Sequence, residues 1–386
     1  MDGEPEDLPF ATELGLAAPH AGGFAVGALA AMEEGTRAVI ALVGGDGASG
    51  RIVNLGSTHG GAAPPRVAGR ADELFVVVPD SDASGGTLRL GVIRDPRETP
   101  EVTWGAVVSE GWDESQAFDV IVGEKRALIV WDQWTSSKDR SVVVASSFDP
   151  DDISSVSTPE QLSGEGQNAE APRLVERPGG SWLGYLERTP EPTDAGAPSP
   201  TEALDEGTGT VVDLGRRALV VVPLDRHGKP TNPPRRVSPD DGHVLVFDLA
   251  PAADGALELV WRDDATSPGV ERGVIHLARV RPDGSVKHDV IEEESIGSGA
   301  PSLLYDPAPA ARRGPTWLTV GGVTDLTQLV ALLPDGKPAG RLRSEAAIGR
   351  GDVLARSAER LLVGTPLGRS VELTVVSCDP AVVEAR

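Results

Sequence analysis

The chain has 386 residues, 39% of them apolar, which is enough for a core but more chain than one conventional core serves. Its net charge of −24 argues against nucleic acid, whose phosphates need Lys and Arg, and against an anionic membrane surface. A single cysteine, Cys378, rules out an intrachain disulfide and a cysteine-based zinc site, and no stretch approaches the length of a membrane span.

The plain reading of the acidity is solubility; a sharper one is an acidic face that meets cations or a basic partner. Aromatic residues make up only 4% of the chain, so Ala, Val and Leu must do most of the packing. The 46 Gly and 32 Pro suit many short strands and turns better than helices.

In chain order, Met1–Pro9 is acidic and polar rather than basic and then apolar, so it does not read as a signal peptide. It reads as a tether of the kind that follows a cleaved signal or lipid anchor. An exported protein (periplasmic, cell-surface or secreted) is therefore expected, with a cytoplasmic one as the alternative. Beyond it an apolar run recurs at Gly23–Ala30, Leu74–Pro79, Arg126–Trp131, Ser181–Leu186, Ala256–Trp261, Pro315–Val320 and Arg360–Gly364. Their starts lie 51, 52, 55, 75, 59 and 45 residues apart. A fixed period of this size marks stacked or radially arranged units. The one long spacing holds Thr189–Gly209, rich in Pro, Thr, Ala, Gly and Asp. Such a segment buries too little apolar surface to fold, and removing it restores the period, so it reads as a flexible insertion in the fourth unit.

A β-branched, mostly continuous run follows each of these: Arg37–Val43, Thr87–Ile93, Ser141–Ser147, Ala218–Leu224, Val274–Val280, Thr327–Leu333 and Val371–Cys378. Continuous runs of this kind are strands covered on both faces. Less regular runs precede them, among them Pro65–Ala68, Phe118–Val122, Pro172–Val175 and Val244–Leu249. Polar runs such as Arg51–Gly56 and Val102–Val108 close several units, as an exposed edge would. Turns such as Pro282-Asp283-Gly284 and Pro334-Asp335-Gly336 supply positive φ at little cost. Only Ala28–Glu34 hints at a helical turn.

Four strands per unit and seven units predict an all-β chain. The architecture expected is a seven-bladed β-propeller of four-stranded antiparallel blades, one domain over residues 1–386, with six or eight blades as alternatives. Closure needs a strand borrowed across the termini: Leu8–Leu14 is the candidate outer strand of the last blade, and Ala381–Ala385 the alternative. The chain resembles β-propeller proteins in period and pattern over nearly its whole length. It carries no family signature: Trp131-Asp132 is in the wrong strand for the Trp-Asp of WD40 blades, and the sialidase-type Ser-x-Asp-x-Gly-x-Thr-Trp box is missing. No family's functional residues carry over.

The resemblance implies that loops leading into first strands share one face with loops between second and third strands. That face would gather His59, Trp112 and His243 from the first set, and Asp80, Asp82, Asp132, Trp134, Glu187, Arg262 and Asp263 from the second. Glu170 and Arg188 fall in the same loops. Aromatic rings stack on sugars or cations and carboxylates orient polar groups, so the first ten residues named are the candidate ligand-binding set. Trp131, Trp182, Trp261 and Trp317 recur in second runs and read as packing between blades. Asp80 to Gly86 alternates oxygens as a calcium loop does but lacks the distant Glu, so it reads as a turn. Turn chemistry also accounts for Arg350-Gly351-Asp352.

The six histidines show no ligand spacing, and common nucleophile, phosphate-loop and dinucleotide patterns are absent. No metal, no cofactor and no named catalytic residue are expected. The function expected is a non-catalytic binding or scaffold propeller that recognises a protein or glycan partner through its loop face. The alternative is a carbohydrate-active enzyme, hydrolase or lyase, using carboxylates at the channel mouth, such as Asp263 with Asp132 or Asp82.

Overall fold

The recurring apolar runs form strands, and each unit folds as an antiparallel meander. The structure, a computed structural model, describes residues 11–20, 22–32, 35–45, 50–58, 63–82, 85–98, 100–112, 117–135, 140–189, 202–204, 211–213, 216–240, 242–263, 274–291, 300–307, 315–321, 327–339, 352–358, 360–367 and 370–377. Blade 1 holds β1 (Ala11–His20), β2 (Gly23–Met32), β3 (Gly35–Gly44) and β4 (Arg51–Thr58). Blade 2 holds β5 (Arg66–Arg70), β6 (Glu73–Asp82), β7 (Gly85–Ile93) and β8 (Thr103–Trp112). Blade 3 holds β9 (Phe118–Val122), β10 (Ala127–Thr135), β11 (Arg140–Phe148) and β12 (Glu160–Gln161).

Blade 4 begins with β13 (Asn168–Arg177) and β14 (Gly180–Thr189). A separate two-stranded sheet of β15 (Glu202–Leu204) and β16 (Val211–Asp213) comes next in the chain. β17 (Arg216–Asp225) and β18 (Arg235–Arg236) then complete blade 4. Blade 5 holds β19 (Val244–Pro251), β20 (Leu257–Asp263), β21 (Val274–Val280) and β22 (Val286–Ile291). Blade 6 shows β23 (Ser302–Leu304), β24 (Trp317–Gly321) and β25 (Thr327–Ala331) among the described residues. Pro338, bridged to Leu332, and Ala339, whose N–H bonds Ala331 O, start its fourth strand. Blade 7 shows β26 (Asp352–Ser357), β27 (Arg360–Leu367) and β28 (Ser370–Ser377).

The first strands close a ring. β1 contacts β5, β5 contacts β9, and the series runs through β13, β19, β23 and β26 back to β1. The chain is therefore a seven-bladed β-propeller, with no helix among the described residues. Its core is divided among the blade interfaces. Phe75, Leu88 and Leu90 of blade 2 meet Phe118, Ile129 and Trp131 of blade 3. Trp182 of blade 4 meets Phe247 and Trp261 of blade 5, and Trp317 of blade 6 meets Val353 and Leu361 of blade 7. Trp131, Trp182, Trp261 and Trp317 are all buried, as their recurrence in the second runs predicts.

Two expectations are corrected. Residues 11–14 do not form an outer strand of blade 7. They lie in β1, the innermost strand of blade 1, where Ala11 pairs with Ala30 and Leu14 with Ala28. The physical reason is packing: Leu14 is apolar and fills the space between blades 1 and 7, which an exposed edge would waste. The alternative, 381–385, lies outside the described residues. Ala28–Met32 is extended rather than helical, because β2 hydrogen-bonds to β1 on one side and β3 on the other. Small side chains serve this strand for a different purpose. A Cβ on Gly27 would stand 1.9 Å from Pro65 O, so blade 2 reaches blade 1 only because the residue there is glycine.

Candidate functional site

In a meander the first and third strands run one way and the second runs back. The starts of first and third strands therefore share a face with the ends of second strands. This is the loop face, and the first strands lead from it down the central channel, a cavity of about 590 Å³.

Four consecutive first strands place Arg66, Asp119, Arg173 and Asp248 on that channel; Glu176 of β13 and Asp352 and Arg356 of β26 line it too. Each of the first four reaches the following blade. Arg66 Nε donates to Phe118 O at 3.0 Å. Asp119 Oδ2 accepts Leu174 N–H at 2.8 Å, and its Oδ1 accepts Val120 N–H. Arg173 Nη2 stands 3.6 Å from Asp248 Oδ1. Asp248 Oδ2 accepts Leu303 N–H at 2.9 Å, and its Oδ1 accepts Leu249 N–H. Burial, then the charge of Arg173, lower the Arg66 guanidinium to about 10. Burial pushes the Asp248 carboxyl up, against the opposing pull of Arg173.

Above the channel, at the loop face, a second polar group spans blades 3 to 5. Glu170 sits near the start of β13. Its Oε2 accepts from Arg188 Nη2 at 2.9 Å, and its Oε1 is 2.5 Å from Arg217 Nε. Arg217 N–H donates to His243 Nδ1 at 3.4 Å. His243 N–H in turn donates to Asp263 Oδ1 at 2.9 Å, and His276 Nε2 lies 3.8 Å from Asp263 Oδ2. The His276 ring stacks on Trp261 at 5.0 Å with planes 4° apart. The set thus carries two carboxylates, two guanidinium groups and two imidazoles, contributed by β13, β14, β17, β20, β21 and the residue before β19.

Asp132 supports this set from blade 3. Its Oδ1 accepts Ala117 N–H at 2.8 Å and its Oδ2 accepts Ala171 N–H at 3.0 Å. Ala171 follows Glu170 within an irregularity of β13 and has a φ of 54°, a left-handed conformation that a side chain adopts only when held. Asp132 holds it. Burial raises the Asp132 carboxyl to about 7, against the two amides and with the charge of Glu170 adding to the rise.

The structure distributes the ten candidates unevenly. Asp132, His243 and Asp263 belong to the group just described. Arg262 is buried at the end of β20 beside Asp263. Glu187 precedes Arg188 on β14, so the two point to opposite faces of that strand. Trp134, near the end of β10, is 40% exposed on the loop face. Trp112 is not in a loop leading to a first strand: it ends β8, the outermost strand of blade 2, paired with Gly86. Its position is therefore the rim rather than the channel mouth, because β8 extends further than the polar run predicts. Asp80 and Asp82 close the β6–β7 hairpin opposite Thr87 and Gly85, and their side chains, like His59, lie outside the described residues. Among the described residues no group of three or more His, Cys, Asp or Glu is arranged to hold a metal ion.

Neither the channel charges nor Arg217 and His276 are among the candidates expected from the sequence. A signal for the channel charges existed. Pro65-Arg66-Val67, Phe118-Asp119-Val120, Pro172-Arg173-Leu174 and Phe247-Asp248-Leu249 each place one charge inside an apolar first run, in four successive units. A charge there has only the channel to face.

No protein-family profile matches the chain, and no curated protein matches it in sequence. Its fold is similar to an ulvan lyase, a polysaccharide lyase bound to a glucuronic acid and sulfated rhamnose glycan, at TM-score 0.64 and 8% identity, covering 97% of this chain and 95% of that one. It is also similar to the α-L-arabinofuranosidase Arb93A of Fusarium graminearum bound to an iminosugar inhibitor (TM-score 0.51, 11% identity, covering 81% and 92%). A third is the hydrazine synthase of Kuenenia stuttgartiensis (TM-score 0.57, 10% identity, covering 98% and 97%). The expectation of a non-catalytic binding or scaffold protein is corrected on this finding. Glycan-cleaving enzymes stand among the structures that share the fold, and the loop face carries the carboxylates and cations that its alternative calls for. What the similarity itself establishes is the architecture, a seven-bladed β-propeller.

Proposed function

We propose that the chain is a carbohydrate-active enzyme, a glycoside hydrolase or polysaccharide lyase, that works at the loop-face mouth of its channel. The observation that carries this reading is Glu170 held between Arg188 and Arg217, with Asp263, His243 and His276 across the same boundary between blades 4 and 5. Cleavage of a glycosidic bond needs a group that gives a proton to the departing oxygen and a group that takes one from water or from the sugar. Glu170 is the carboxylate assigned to meet the substrate. Asp132 is a positioning residue, since both its oxygens are engaged by backbone amides and one of those amides fixes the residue after Glu170. Asp263 and the two histidines supply the second acid–base group. Trp134 on blade 3 offers a half-exposed ring on the same face for a sugar to stack on.

The fold neighbours described above include enzymes bound to a glycan and to an iminosugar, which supports a glycan as the partner. Action on polysaccharide also favours an exported protein. The test is incubation of the purified protein with a panel of plant, algal and microbial polysaccharides. New reducing ends without new ultraviolet absorption report hydrolysis, and new ends with the absorption of an unsaturated uronate report elimination. Release of neither from any member of the panel contradicts the proposal.

A further inference from the structure

We infer that the channel beneath Glu170 is an anion site, in which Arg66 and Arg173 receive a carboxylate or sulfate group carried on a sugar. This rests on the glycan-cleaving reading above and narrows it to acidic glycans. Beside Arg66, Asp119, Arg173 and Asp248, the channel wall carries Glu176, Asp352 and Arg356. Asp119 and Asp248 each accept one backbone amide on each oxygen. Arg173 Nη2 approaches Asp248 only to 3.6 Å, too far for a good hydrogen bond. Arg173 Nη1 is buried and has no hydrogen-bond partner among the described residues. A buried cationic donor without a partner is costly unless something else fills the place.

The second guanidinium makes that cost larger. Arg66 and Arg173 line the same cavity, and burial first and then the charge of Arg173 lower the Arg66 guanidinium to about 10, against the pull of Asp119 and Asp248. An oxyanion between them relieves both the repulsion and the unfilled donor. The planar fork of arginine suits carboxylate and sulfate oxygens, which accept two parallel N–H groups. Binding between blades does not by itself explain the arrangement. The bond to Phe118 O occupies Nε of Arg66, and the residue also lines the channel.

Size and position select a sugar over a lone ion. The cavity of about 590 Å³ is in the range of small-molecule sites. Leu14, Leu16, Leu174, Leu249 and Leu303 line it, giving an apolar wall for the face of a ring. Arg173 lies three residues from Glu170 on β13, but the irregularity sets those three against two residues of β14, so the two are roughly 7 Å apart along the strand. An acidic sugar held in the channel therefore has its neighbouring linkage directed toward Glu170.

The test is isothermal titration of the intact protein with uronate and sulfated oligosaccharides, with the same oligosaccharides after carboxyl reduction or desulfation, and with inorganic sulfate. The acidic sugars are expected to bind at least about tenfold tighter than the reduced or desulfated ones, as one charged hydrogen-bond pair supplies. Arg173→Gln is expected to bring the two within about threefold. The wild-type comparison needs no variant and stands even if Arg173→Gln fails to fold. Equal binding of the acidic sugars and their reduced or desulfated forms overturns the inference, and so does binding of neither. Sulfate binding with no binding of acidic sugar assigns the site to a free anion and overturns the sugar. Cleavage of neutral glycans without charge preference removes the anion site but keeps the enzyme. Charge-selective binding without cleavage of any glycan does the reverse.

Discussion

Between blades 2 and 3 the core holds Phe75, Phe118, Trp131 and Phe148, and between blades 4 and 5 it holds Trp182, Phe247 and Trp261. Between blades 7 and 1 the buried apolar cluster offers one aromatic, Phe24, with Val26, Val43, Ala355 and Leu362. In the channel, blades 2 to 5 contribute Arg66, Asp119, Arg173 and Asp248, each reaching the following blade, while blade 7 adds Asp352 and Arg356 and blades 6 and 1 line it with residues such as Ser302 and Leu16. The arc that carries the four inter-blade charges and the loop-face group is also the arc with the largest aromatic packing. A rigid support of this kind is what a precisely spaced acid–base group requires. The closing arc, which carries no part of the loop-face group, is the one with the lighter core.

The largest expected effect that sharpens this contrast is Trp131→Ala. Loss of a fully buried Trp should cost about 3–5 kcal/mol in a denaturant titration, while Leu362→Ala in the closing arc should cost about 2 kcal/mol. Equal costs would remove the asymmetry. Asp119→Asn comes next. The amide keeps one acceptor but offers an N–H to a backbone N–H, so about 1–3 kcal/mol should be lost, with hydrogen exchange accelerating first around Leu174.

Asp132 adds a pH dependence with a definite sign. Its carboxyl rises in the fold from 3.8 to about 7, so the folded chain keeps a proton that the unfolded chain releases. The stability this group contributes is complete below pH 3.8 and is lost as the pH climbs toward 7. Wild type should therefore lose stability relative to Asp132→Asn over that interval in thermal melts, and a constant difference would show that the carboxyl is not raised. The smallest effect belongs to Trp134→Ala. With the ring 40% exposed, stability should stay within about 0.5 kcal/mol, while affinity for a cleaved glycan falls severalfold. A loss of several kcal/mol would move Trp134 into the core.

The strands were readable because each is a local statement. Leu74–Pro79 and Thr87–Ile93 are continuous β-branched runs between turn residues, and they form β6 and β7. β1 was the least readable first strand, because its irregularity between Leu14 and Ala17 breaks the alternation that marks a strand. The site was less readable because it is not local. Glu170, Arg188, Arg217, His243 and Asp263 converge from β13, β14, β17, β20 and the residue before β19, and nothing in the spacing of Glu170 and Arg217 announces that they touch. The sequence named Asp132 and Asp263 as a carboxylate pair from their place after second runs. The structure gives them different work: Asp132 fixes the backbone beside Glu170, and Asp263 holds the backbone N–H of His243.

The most direct measurement of the central claim is product release from the polysaccharide panel by wild type and by Glu170→Gln, with circular dichroism confirming that the variant is folded. Cleavage of at least one polysaccharide by wild type is predicted, with a loss of at least about 100-fold in the folded variant. Full activity in Glu170→Gln, or no cleavage by wild type, contradicts the account.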